Sequence, residues 1–186
     1  MLIPPRVAED RCEQGAAMEP NDVQDALLAD LRTDADQIPA TLSALAPDAL
    51  TRGAYEQGWT GREIVAHIAS IEWTYARLIE RARKAADAKG DTAGGGQESG
   101  SGTVDMNDYN ARQIEKRQDA SVAELIKEFR ANRTRTIAAV EQTPSDLFAQ
   151  PMQSAGGVRG SLADVIRAVA IDHVRGHVAD LSKSGG

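Results

Sequence analysis

The stretch from Gly58 to Leu78 reads GWTGREIVAHIASIEWTYARL, and its spacing decides the fold. Ile64, Ile68, Ile71, Tyr75 and Leu78 follow at steps of four, three, four and three, the pattern of an apolar stripe on an α-helix. Thr60 stands where its hydroxyl caps the amides of the first turn, and Glu63 lies three residues on, where it reaches back to complete a capping box. The spacing predicts a helix from Thr60 to about Ala88 with one face turned into a bundle.

The same pattern recurs on both sides. Upstream, Glu19-Pro20-Asn21-Asp22 starts a first helix whose stripe is Val23, Leu27, Leu31, Ile38, Leu42 and Leu45, with Ala35 filling the gap. Pro39 sits inside this stripe and is expected to kink or locally break it, because it lacks a donor and crowds the preceding turn. Pro47-Asp48 closes the segment. Downstream, Lys89 to Gly102 reads KGDTAGGGQESGSG, which has too little apolar surface to order itself and reads as a flexible crossover spanning 89–105. A short helix is expected from Asn107 to Gln118. Ser121 with Glu124 then opens a third long helix through Leu125, Phe129, Ile137 and Val140, which Thr143-Pro144 ends. Ser161 with Asp164 opens a fourth, carrying Leu162, Val165, Ile166, Val169, Ala170 and Val174 to about Leu181. The expected fold is all-α, a four-helix bundle with a long Gly-rich crossover between helices two and three.

The chain has 186 residues, which suits one domain, placed at 20–183; residues 1–19 carry no period and read as a tail, with Met18 a candidate native start. With 21 basic and 28 acidic residues the net charge is −7, which argues against nucleic acid and anionic membrane as partners. No apolar run is long enough to span a bilayer and the N-terminus lacks a signal-type apolar segment, so a cytoplasmic protein is expected. The one cysteine, Cys12, lies in the tail and forms no internal disulfide. Aromatic residues are only 4%, which favours helices over sheets.

Three histidines remain, and all are expected to face inward: His67 at the margin of the helix-two stripe, His173 and His177 inside the helix-four arc, taking about 100° per residue. Chance would place all three in apolar stripes only about one time in thirty. One reading is three satisfied core imidazoles. The other is a metal site: His173 and His177, four apart, project side by side, and His67 from a facing helix completes the set. Three neutral nitrogen ligands leave coordination positions open for water or a thiol, which is the pattern of a catalytic ion.

Asp180, one turn past His177, is a candidate catalytic residue that either orients an imidazole or serves as general base; the bland reading is a frayed terminal carboxylate. Tyr75 is a candidate substrate-binding residue or simply packs. Trp59 and Trp73 read as hydrophobic anchors, Trp73 facing outward to a subunit interface. Arg130, Arg133 and Arg135 either clamp an anionic cofactor or form a solvated face.

GWTGREIVAHIASIEWTY around His67, the Asn-containing VDMNDYN after the crossover and the terminal IDHVRGHVADL resemble the DinB superfamily, also called DinB/YfiT-like, over about residues 20 to 183. The resemblance implies a four-helix metalloprotein with His67, His173 and His177 as metal triad, zinc or nickel as the ion, and a homodimer. It further implies either a hydrolase or a low-molecular-weight-thiol S-transferase acting on an electrophilic small molecule, the thiol then being a co-substrate. A non-catalytic, metal- or ligand-binding stress-response bundle is the alternative. Maleylpyruvate isomerases of this superfamily carry a further C-terminal domain, whereas this chain ends 186 − 177 = 9 residues beyond His177, so a single-domain member is expected.

Overall fold

The computed structural model describes residues 19–53, 58–91 and 105–183. Four long rods form the bundle: α1 (Pro20–Ser43), α3 (Gly61–Asp91), α5 (Val122–Glu141) and a C-terminal rod made of α6 (Leu162–Ile166), a π-helical turn (Arg167–Asp172) and α7 (His173–Lys183). Short elements join them: α2 (Pro47–Thr51), α4 (Met106–Glu115), a 3-10 turn (Ser145–Ala149) and an antiparallel hairpin of β1 (Pro151–Gln153) and β2 (Arg159–Ser161). The all-α bundle expected from the periodicity is the fold.

Each expected stripe packs inward. Leu27, Leu31 and Leu42 of α1, Ile64, Ile68 and Ile79 of α3, Leu125 and Phe129 of α5, and Leu162, Val165, Ile171 and Val174 of the C-terminal rod are buried in one cluster. The caps form as read. Thr60 N donates to Glu63 Oε2 at 2.7 Å while Glu63 N donates to Thr60 Oγ1 at 3.2 Å, and Ser121 with Glu124 and Ser161 with Asp164 close the same reciprocal boxes. Each satisfies donors that a helix start otherwise leaves without partners.

Several boundaries differ from expectation. Pro39 does not break α1, which runs on to Ser43. Its ring is buried beside Ile38 and Leu42, and Ser43 Oγ donates to the Pro39 carbonyl at 2.7 Å, so packing outweighs the one missing donor. Pro47 opens the five-residue α2 rather than only closing α1, the N1 preference of proline. Helix α3 continues to Asp91, three residues past the expected end at Ala88. Residues 1–18, which hold most of the expected tail and Cys12, and 92–104 of the crossover lie outside the described residues. The hairpin was not foreseen, because three-residue strands are too short to leave a period.

Gly61 makes the tightest junction. A Cβ there would lie 2.0 Å from the Ala49 carbonyl oxygen and 3.1 Å from Leu181 Cδ2, so the glycine lets α2 and the end of α7 meet the start of α3. Arg62, next along, donates to the carbonyls of Arg117 and Ala120 and ties the α4–α5 connection to the same end. Among the described residues no helix is long and apolar enough to cross a membrane.

Candidate metal centre

His67 lies two turns into α3, and His173 and His177 lie on α7 directly after the π turn. The bundle brings the three together. His67 Nε2 is 3.4 Å and His177 Nε2 is 3.2 Å from His173 Nε2, and the three potential ligand atoms lie within 4.8 Å of one another. The rings meet nearly edge to face, at 89° for His67–His173, 84° for His67–His177 and 76° for His173–His177, so their nitrogens converge while their planes avoid one another.

Burial grades across the cluster. His67 and His177 are buried, whereas His173 is exposed, which corrects the expectation that all three face inward. The cause is the π turn. A wheel at about 100° per residue holds only through regular α-helix, and a π turn takes in an extra residue, re-phasing everything downstream. The buried positions of α7 become Val174, His177, Val178 and Leu181, leaving His173 at the rim. The cluster therefore has two buried members and one facing solvent, an opening at the rim.

Burial foremost, then the positive charges that His177 and His173 would carry, hold His67 down to about 3. Its ring stays neutral and its nitrogen lone pair available. Trp59 packs against it with ring centroids 5.0 Å apart and planes tilted by 46°, and Nδ1 of His67 is buried without a hydrogen-bond partner, so packing orients this ring.

The donor set fits a divalent cation. Each Nε2 carries either one proton or one lone pair, so His173 Nε2 cannot satisfy two facing nitrogens by hydrogen bonding alone. Three lone pairs on one cation resolve the convergence. The observed 3.2 and 3.4 Å match the edge of a tetrahedral site, about 3.3 Å for nitrogens 2.0 to 2.1 Å from one ion.

The remaining candidates fall elsewhere. Asp180 is exposed on α7 and pairs with Lys183 at 3.3 Å. It lies seven residues after His173, hence near the same rim. Tyr75 is buried in the core, where burial foremost and the neighbouring Glu72 carboxylate push its hydroxyl well above its usual range, which is the packing outcome. Trp73 is half-buried with the Arg77 guanidinium 5.1 Å over its ring. Arg130 and Arg135 are exposed, in keeping with a solvated face.

Arg133 corrects that reading. It is fully buried, with Nε 3.0 Å from Glu72 Oε1 and Nη2 donating to the Ala170 carbonyl at 2.9 Å. Burial foremost, against the pull of Arg133, pushes the Glu72 carboxyl up to about 7. The signal was in the sequence: Arg133 follows Leu125 and Phe129 at steps of four and precedes Thr136 and Val140 at three and four, inside the apolar stripe. A second polar set, Asp30 and Asp34 of α1 with Arg167 and Arg175, ties α1 to the C-terminal rod at 2.8 to 2.9 Å.

An all-helical bundle with three imidazoles converging at the edge of its core defines the class: a helical-bundle protein with a candidate transition-metal site. The family follows from comparison. The model of the mycothiol maleylpyruvate isomerase N-terminal domain matches residues 31–182, and the chain belongs to that family. No curated protein matches. A crystal structure of the mycothiol-dependent maleylpyruvate isomerase is similar at 15% identity and TM-score 0.65, covering 89% of this chain and 63% of that one. A point mutant of that enzyme gives 14% and 0.63 over the same shares. At such identity the likeness is one of fold, and this chain spans less than two thirds of the length of those structures.

Proposed function

We propose that the protein is a metal-dependent enzyme that uses a low-molecular-weight thiol as co-substrate against an electrophilic small molecule, with His67, His173 and His177 holding the ion. One observation carries the reading: three imidazole nitrogens from two rods, two of them 3.2 and 3.4 Å from the third, converge at a rim open to solvent. Membership in the family of the mycothiol maleylpyruvate isomerase N-terminal domain supports a thiol over water as the nucleophile, and hence a transferase or isomerase over a hydrolase. Three imidazole nitrogens suit zinc or nickel, and two of their spacings fit either ion.

When bound, such an ion supplies acidity to a thiol or water and polarises an acceptor oxygen. The chain's own residues do the rest. His67 and His177 sit under the core surface, His67 held neutral there, and His173 borders the approach from solvent. Trp59 walls one side of His67 and excludes water from it. Asp180 stands near the rim, where a carboxylate can take the proton a thiol releases.

Isothermal titration of the metal-free protein with zinc tests the first step. One zinc per chain is expected, with affinity falling at least about tenfold in His67→Ala and in His177→Ala. Equal affinity in parent and variants defeats the triad. Adding mycothiol to the cobalt-substituted protein tests the second: a changed visible spectrum is expected with the thiol, and an unchanged one removes the co-substrate.

A further inference from the structure

We infer that Arg133 is a positioning residue for the histidine cluster, a buried strut that fixes the rod carrying His173 and His177 against the rod carrying His67. The inference builds on the proposed metal site, but its geometric part stands apart from any ion.

The guanidinium touches three elements at once. On one side it meets Glu72 at 3.0 Å, five residues past His67 on α3; on the other it donates to the Ala170 carbonyl at 2.9 Å, three residues before His173 and inside the π turn. Its third support is the Phe129 ring on its own helix, 5.1 Å away. The planar fork has fixed geometry, so Glu72 and Ala170 are held at a set separation through one rigid group. Charge-assisted donation to a carbonyl is roughly twice as strong as a neutral bond, and it falls on backbone that is out of α register.

That placement matters because a π turn is a rare departure from the α-helix that flanks it on both sides. Relaxing Arg167–Asp172 into regular α-helix at constant length would re-phase α7 by about 100° and carry both histidines off the spacing they now hold to His67. A clamp on a carbonyl inside the turn opposes that relaxation, and the clamp is anchored on the helix that carries the third histidine. Stability alone gives no reason for the arrangement. A buried ion pair replaced by apolar or neutral groups of similar volume is often at least as stable, but only the guanidinium reaches both partners.

The test uses Arg133→Lys, which keeps the charge beside Glu72 but loses the fork, and the neutral double variant Glu72→Gln/Arg133→Met, which leaves no unpaired charge in the core. Three readouts are taken on each full chain: thermal unfolding, cobalt(II) titration with its visible ligand-field band, and nuclear Overhauser contacts between the His67 and His173 rings in metal-free protein. In the folded double variant the ring contacts are expected to vanish, and cobalt to bind at least about tenfold more weakly with a shifted band. Arg133→Lys is expected to behave alike. Ring contacts and cobalt affinity equal to the parent's in a folded variant overturn the strut. A parent that binds no cobalt defeats the metal reading instead, and the ring contacts then decide the strut alone: their loss in the variants upholds it and their persistence ends it.

Discussion

Acid should act on the metal-free protein in a way only a variant comparison reveals. His67 is held to about 3 in the fold against an ordinary 6.5, so between pH 7 and 5 the unfolded chain takes up a proton there that the folded chain refuses. Stability rises with pH wherever the unfolded state binds more protons, so acidification over this window costs about 2 kcal/mol at His67. Glu72 works in the opposite direction. Its carboxyl is raised to about 7 against an ordinary 4.5, so the folded state takes up its proton first and gains about 2 kcal/mol over the same window. The two nearly cancel in the parent. His67→Gln removes the loss and keeps the gain, so its urea midpoint, read with chelator present, should rise from pH 7 to pH 5 by the equivalent of about 2 kcal/mol relative to the parent's. If parent and variant move in parallel, His67 is not a buried neutral imidazole and the account of the cluster fails.

Packing and spectroscopy give further outcomes. Gly61→Ala should lower the melting temperature by about 6 to 10 °C, from a cost near 3 kcal/mol, because its Cβ would meet the Ala49 carbonyl oxygen at 2.0 Å. Gly176→Ala, where a Cβ meets nothing within 4 Å, should instead raise it slightly by removing a helical glycine. Ser121→Ala breaks the α5 capping box and should cost about 1 kcal/mol in a denaturant melt. In a Trp73→Phe background, nickel or cobalt should quench the fluorescence of Trp59, whose ring lies 5.0 Å from His67; full emission at saturating metal would place the ion elsewhere.

The bundle was legible because its information is periodic. Ile64, Ile68, Ile71 and Leu78, or Leu125 and Phe129, mark a face wherever the helix keeps its regular turn, and the Thr60/Glu63, Ser121/Glu124 and Ser161/Asp164 pairs mark three starts. The pairing of His67 with His173 and His177 was legible for the same reason. The exposure of His173 was not, since nothing in RAVAID marks a wide turn and a wheel carried across it is one residue out of phase. Arg133 was hidden by its own chemistry: a charged residue is assigned to solvent by default, and only its place in the stripe, with Glu72 facing it, argues otherwise. Of the two outcomes expected at Pro39, a break is ruled out by the continuous α1, in which the proline is buried.

The wide turn amounts to a single surplus residue in an otherwise ordinary rod. Removing one amino acid from Arg167–Asp172 would let it straighten with Leu162, Val165 and Ile166 before it and Val174, Val178 and Leu181 after it all still seated, whereas straightening at full length would twist the latter three by about 100°. Core and chelate thus share one phase, so a chain of this architecture that is one residue shorter here keeps both on a regular helix, and one that straightens at full length displaces both together.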